Sequence, residues 1–227
     1  MLILLSKLLH FATYHPLKFL IISVVVTSFV TSLVSKITKT EGAFAAIPIV
    51  FFLSIGNLIA GHWINAFFIH NVGVYGKAII VDSGDAGFMI NDWEASYYDI
   101  LVTTEEGQEI LTNGTDMSIP LYPLRNTILM PPIDEEFVVK YVPGDEENFV
   151  IMADDSNYGK RRLLGEARQP VERARHLYEA SSENLDFVQQ YREALQTFIS
   201  EQAGIASDDQ IQRYHEALQG LTEKDQP

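Results

Sequence analysis

Hydrophobic and polar positions divide the chain into three regimes. Phe19 to Val34 contains no charged residue, and neither does Ala43 to Val74. At about 1.5 Å rise per residue, a helix of roughly 18 or more apolar residues covers a hydrocarbon core of about 30 Å. The pattern predicts two transmembrane helices, about Leu17–Ser35 and Ala43–Phe68, joined through Lys36–Gly42 as an antiparallel hairpin. Met1–Tyr14 ahead of them is apolar with Lys7 and His10 interspersed, and Pro16 interrupts it. It reads either as an amphipathic helix at the membrane interface or as a lead-in to the first span. A cleaved signal peptide fits less well, because no small-x-small site follows the first span at the right distance.

One side of the first span is lined with hydroxyls: Ser23, Thr27, Thr31 and Ser35 recur at i, i+4, with Ser28 and Ser32 beside them. That spacing makes a nearly straight stripe on a helix. Small residues allow close helix approach, and Gly56, Ala60 and Gly61 offer a matching surface on the second span. Asn57 is the deepest polar group there and is expected to hydrogen-bond the hydroxyl stripe. A polar pore lining would require oligomerisation, since two helices cannot enclose a pore.

After Asn71 the period changes. Val74–Val81 is β-rich and ends at Asp82-Ser83-Gly84-Asp85, a turn signal. Tyr97–Thr104 and Gln108–Leu111 flank Glu105-Glu106-Gly107 as a hairpin, and Asn113-Gly114 reads as a further turn. Ile128–Met130 ends at Pro131-Pro132, and Phe137–Val142 and Phe149–Met152 bracket Pro143-Gly144-Asp145. Short strands at this density predict a small antiparallel β barrel or sandwich.

Gly76-Lys77-Ala78 opening a strand, a later Tyr-rich strand, and Val138-Val139-Lys140-Tyr141-Val142-Pro143-Gly144-Asp145 carry a resemblance. Together they resemble a broad family of small bacterial membrane proteins of unknown function, whose late strand reads V-x-Y-x-P. Members pair transmembrane helices with a compact β domain, usually placed between the two spans, whereas here it follows both. The resemblance covers about a third of the chain. It implies a β domain and a bacterial inner membrane, and it brings no activity.

From Pro170 the period is helical. Val171, Ala174, Leu177 and Tyr178 share a face, Leu185, Val188, Leu195, Phe198 and Ile199 mark a second helix, and Ile211, Tyr214, Leu218 and Leu221 a third. Ser207-Asp208-Asp209-Gln210 has the form of a capping box. These apolar faces either dock within the protein or form a partner surface on Leu185, Val188, Leu195, Phe198, Tyr214 and Leu218.

Charge sharpens the division. Residues 1–70 hold four lysines and one carboxylate, while residues 71–159 hold 17 acidic against 3 basic residues. Such a segment repels nucleic acid and anionic head groups, which excludes DNA or RNA as a partner. The chain has no cysteine, so disulfides and thiolate chemistry are excluded. No H-E-x-x-H, G-x-S-x-G, P-loop or G-x-G-x-x-G is present, and no catalytic, cofactor or metal residue is assigned. Asp155, Asn157 and Glu166 match calcium-loop positions, but Lys160, Arg161 and Arg162 lie inside that loop and argue against it. Lys7, Lys18 and Lys77 against Lys36 and Lys39 favours both termini in the cytoplasm by a single charge.

The expectation is an α+β protein: an interfacial lead-in (1–16), a two-helix transmembrane hairpin (17–70), an acidic β domain (71–159) and a helical tail (160–227). Its expected role is non-enzymatic, in an inner membrane, with a protein partner or self-association and no cofactor. The competing expectations are a membrane-anchored immunity or inhibitor protein against a basic toxin, a channel or transporter accessory subunit, and a hydrolase built on a buried carboxylate pair.

Overall fold

The computed structural model describes residues 1–90, 93–116, 118–125 and 129–224. It divides into two compact units, Met1–Ser156 and Asn157–Pro227.

The first unit opens with α1 (Leu2–Tyr14), and His15 at φ −129° and ψ 55° breaks the helix before α2 (Pro16–Thr38). Pro16 sits in the first turn of α2, where its missing N–H has no helical partner to lose. Lys39 adopts a left-handed conformation at the end of α2, and a 3₁₀ turn (Gly42–Ala45) leads into α3 (Ala46–Val72). Both α2 and α3 are long and apolar enough to cross a membrane. Their outward faces expose large apolar side chains, among them Phe29, Phe52, Leu53 and Ile59. The inward face of α2 is the predicted hydroxyl stripe, with Thr31 buried.

Gly73 ends α3, and strand β1 (Val74–Ile90) begins at the next residue. A side chain at Gly73 would meet the Ile69 carbonyl at 2.6 Å and the Tyr141 carbonyl at 3.0 Å, so this close passage from helix to sheet needs glycine. The remaining strands are β2 (Trp93–Thr103), β3 (Glu109–Thr115), β4 (Leu121–Tyr122), β5 (Glu136–Val142) and β6 (Asp145–Met152). They form one sheet in the order β3-β2-β1-β5-β6-β4. All neighbours are antiparallel except β4, which runs parallel to β6.

The predicted barrel or sandwich is therefore an open mixed sheet. The inner face buries Ala78, Ile80, Ile100, Val102, Phe137, Val139 and Ile151, and the sheet curls until β3 contacts β6. Closure by β3–β6 pairing does not occur, because β4 occupies the free edge of β6. The Ile151 amide donates to the Pro120 carbonyl at 2.9 Å, and the Ala153 amide to the Tyr122 carbonyl at 2.8 Å. On the other face, Val150 and Met152 pack against Ala66 and Ile69 of α3. Burial on both faces explains why β6 reads as a continuous apolar run from Phe149.

Two predicted turns lie inside strands. Asp82-Ser83-Gly84-Asp85 continues β1, whose register with β2 shifts between Ile80 and Asp82 and again between Asp85 and Met89. Bulges of this kind accommodate turn-forming residues without ending a strand. Asn113-Gly114 is paired with Asp99 and Tyr98, and a side chain at Gly114 would meet Ile119 at 2.7 Å. The predicted strand at Ile128–Met130 is absent at Leu129 and Met130, while Ile128 lies outside the described residues. The hairpin through Glu105-Glu106-Gly107 forms, with Gly107 at φ +82°.

The second unit is a three-helix bundle of α4 (Asn157–Ala180), α5 (Leu185–Gln202) and α6 (Asp208–Lys224). Helix α4 starts well before the predicted onset at Pro170 and carries that proline on an exposed turn. Because residues 157–166 are helical, the calcium-loop reading of Asp155, Asn157 and Glu166 has no loop to use. Val171, Ala174, Val188, Tyr191, Leu195, Phe198 and Leu221 form the core. Asn184 caps α5 by accepting from the Asp186 amide at 3.0 Å. At Ser207 only half of the capping box is present. Its hydroxyl accepts from the Gln210 amide at 3.3 Å, but the Gln210 side chain accepts from Arg168 instead.

Leu195 is fully buried, and Leu195→Ala is expected to destabilise the bundle by about 2–5 kcal/mol, the range for an uncompensated core truncation. Hydrogen exchange should show lost protection across α4–α6, with the amides of β1 and β5 unchanged.

Candidate functional site at the helix–sheet junction

The polar interior of the first unit is concentrated where α1, α3 and β6 meet. Asn148 on β6 is 1 % exposed and lies between Ser6 of α1 and Asn65 of α3, both fully buried. The Asn65 amide donates to the Asn148 side-chain oxygen at 2.7 Å, and the Asn148 amide contacts the Asn65 oxygen at 3.2 Å. The same Asn148 nitrogen donates to the Ser6 hydroxyl at 2.9 Å and to the Ser6 carbonyl at 3.1 Å. Each buried polar atom in this knot has a partner, which is the condition for burying amides without a large desolvation penalty.

Other contacts extend the knot along α3. Asn57 donates to the Ala12 carbonyl at 2.8 Å, and Thr13 donates to the Gly61 carbonyl at 3.4 Å. At the far end of α3, the Lys140 ammonium donates to the His70 carbonyl at 2.7 Å. It sits 4.7 Å from the centre of the Tyr75 ring. A cation on the last carbonyls of a helix completes its unsatisfied end and meets the negative pole of its dipole. The His70 ring stacks on Tyr122 with centroids 3.7 Å apart. Tyr75 in turn donates to Asp155 at 3.3 Å, and Arg125 pairs with Asp154 at 2.6 Å.

Helix α1 is thus a structural wedge between α3 and the sheet, rather than a loose lead-in. Its first turn, Leu2, Ile3, Leu4 and Leu5, and Leu8 after it are apolar and exposed. Two titratable groups on its inner side are displaced from their ordinary values. Burial pushes the Tyr14 phenol well above the usual tyrosine range, against a hydrogen bond with Ser118. Burial likewise lowers the His10 imidazole below its ordinary value, opposed by the Asp145 and Glu147 carboxylates and assisted by His15.

The hairpin residues named from sequence separate into two contacts. Ser23 reaches across from α2, its hydroxyl 2.8 Å from that of Ser54. Thr27 lies on the same half-buried side, whereas Thr31 and Ser28 donate back to carbonyls of α2 itself. Asn57 bonds α1 and not the hydroxyl stripe, and Gly61 also faces α1. Ala60 is half-buried, while Gly56 is exposed with nothing near its missing side chain, so Gly56 is no part of the contact. Of the six tail residues named as a partner face, Val188, Leu195 and Phe198 are core, and Tyr214 and Leu218 pack against that core. Only Leu185 stands out, at 76 % exposed.

The residues missed were Ser54, Ser6, Asn148 and Lys140. Ser54 was legible, since Ser54, Asn57, Gly61 and Asn65 follow one helical stripe at spacings of three and four. Nothing in the Glu146-Glu147-Asn148-Phe149 run distinguishes a buried amide from an exposed one.

Among the described residues, no group of three or more His, Asp or Glu side chains is placed to hold a metal ion. No family model, curated protein or solved structure matches this chain.

Asn148→Leu would leave the Ser6 and Asn65 groups buried without partners, at a cost of about 1–3 kcal/mol. A lowered thermal midpoint in detergent is expected, and the Asn65→Leu/Asn148→Leu double variant should lose less than the sum of the single variants. For His10 the folded value is depressed, so the unfolded chain binds the extra proton. Stability is full above the ordinary value of 6.5 and falls as pH drops through it toward the folded value. Thermal midpoints of the protein and of His10→Gln should therefore diverge between about pH 7.5 and 5.5, the variant losing less.

Proposed function

We propose that this chain is a non-enzymatic integral protein of a bacterial inner membrane, anchored by the α2–α3 hairpin and presenting an acidic β domain and a helical bundle to a protein partner. The observation that carries the reading is the inverted pattern of the hairpin. Small and hydroxyl side chains face inward between α2 and α3, while large apolar side chains face outward over both helices. Water penalises that arrangement by about 25 cal/mol per Å² of exposed apolar surface, whereas lipid tails accept it, and close packing through small residues is how helices associate in lipid.

The direct passage from α3 into β1 supports a domain held at the membrane surface in one orientation. The excess of lysines at Lys7, Lys18 and Lys77 over Lys36 and Lys39 favours the cytoplasmic side. The V-x-Y-x-P run lies on β5 and the turn after it, in keeping with a β domain of the bacterial membrane family it resembles. A second reading, an immunity or inhibitor protein that neutralises a basic partner, draws on the run from Ala78 to Leu124. That run holds nine carboxylates and no Lys, Arg or His.

Absence of cysteine makes the test direct. Single cysteines at Ser83 and Ser207 are probed in intact cells with a maleimide that crosses only the outer membrane, and the membranes are then extracted with carbonate. The expected result is retention in the membrane and protection of both positions until the inner membrane is broken. Release into the carbonate supernatant would overturn the anchor, and immediate labelling would place the polar domain in the envelope.

A further inference from the structure

The β1–β2 pair outruns the rest of the sheet. Strand β5 pairs with β1 only up to Ile79, and β3 pairs with β2 only from Tyr97 onward. The pairing of β1 with β2 continues to Ile90 and Trp93. Beyond Ile80, whose carbonyl accepts from Asp134, the described residues supply no further strand partner to the outer edge of β1. Between Val81 and Met89 the described residues leave that edge without a strand partner, although bulges follow Ile80 and Asp85 and the Ser83 and Gly87 amides are taken by the Asp82 and Asp85 carboxylates.

This ribbon also carries exposed apolar groups on an acidic stem. Met89 is 63 % exposed and Phe88 45 %. The register places Asp82 opposite Asp99, two like charges across a strand pair, an arrangement that destabilises a sheet. Tyr97 lies over Gly84, where a side chain would meet its ring at 2.6 Å, and donates to Asp82 at 3.1 Å. Asp85 and Glu94 add to the same ribbon. Two copies of this edge would oppose carboxylate to carboxylate, so self-pairing is disfavoured.

We infer that the free edge of β1 from Val81 to Met89 is a docking surface for an extended, lysine- or arginine-bearing segment of another protein. The segment adds as a short strand, gaining main-chain hydrogen bonds from the groups of this edge that the Asp82 and Asp85 carboxylates leave free. Its cations meet Asp82, Asp85 and Asp99, relieving the like-charge pair, and its apolar side chains cover Phe88 and Met89. The inference deepens the interaction reading above by naming the partner's chemistry.

The test uses the full chain in nanodiscs of neutral phosphatidylcholine, with empty nanodiscs as the control for lipid binding. The probes are fluorescent decapeptides: alternating Lys-Val, alternating Glu-Val, and a Lys-Val peptide with proline at every third position. The expected result is saturable binding of the Lys-Val peptide alone, weakened about tenfold between 50 and 500 mM salt. Asp82→Asn with Asp99→Asn should weaken it at least about fivefold. Met89→Ser should weaken it with less change in salt dependence. Equal binding of the Glu-Val or proline peptide, no binding, or binding unchanged in all variants would overturn the inference. Failure of the anchor shows separately, as a chain that does not enter nanodiscs, and the peptide titration is then repeated on the chain in solution with the same outcomes deciding it.

Discussion

A buried amide has to find its hydrogen bonds, and Asn148 finds them on elements that are far apart in the chain. Ser6 lies 142 residues away and Asn65 lies 83 away. An unsatisfied amide in that position would cost a large part of a typical domain's net stability. The knot therefore fixes how α1, α3 and β6 meet. Gly73, which brings α3 straight into β1, and Lys140, which caps the end of α3, add two further contacts between α3 and the sheet.

Two opposite packing rules operate on either side of this junction. In the hairpin, apolar side chains face outward and hydroxyls inward. In the sheet, Ile80, Ile100, Val102 and Phe137 face inward, and most carboxylates face outward, Asp145 at the start of β6 being buried. The knot sits where the rules change. Helix α1 follows both, with Ser6 and Ala12 buried against α3 and the sheet and its leucines exposed on the other side. Its half-buried His10 and Tyr14 are the titratable groups of α1 that burial displaces.

The sheet shows a different kind of constraint. It curls far enough to bury a core on its inner face, yet a two-residue parallel strand at Leu121–Tyr122 occupies the edge that closure would need. An open sheet has edges, and this one protects them with charge rather than by closing. The β1–β2 ribbon is where that protection is most concentrated, through Asp82, Asp85, Glu94 and Asp99. The same carboxylates that discourage self-pairing are the basis of the cationic partner proposed above.

Local chemistry determined much of this protein in advance. Uncharged runs of sufficient length set the two long helices, the i, i+4 hydroxyl stripe set the inward face of α2, and glycine at φ +82° set the turn at Gly107. The amphipathic faces of the tail likewise set its helices, because period and backbone preference are properties of neighbouring residues. Tertiary structure decided the rest. Asp82-Ser83-Gly84-Asp85 and Asn113-Gly114 have turn chemistry, but cross-strand pairing with β2 holds them in strands. Asn57 could satisfy its amide on several surfaces, and only the docking of α1 selects the Ala12 carbonyl. Leu195 and Phe198 would suit a partner as well as a core, and the folding of the three helices onto one another uses them as core. Asn148 resembles any strand amide until Ser6 and Asn65 converge on it. Long-range partners are chosen by which surfaces can be buried together with every polar group satisfied, and that condition is not written in any local stretch of sequence.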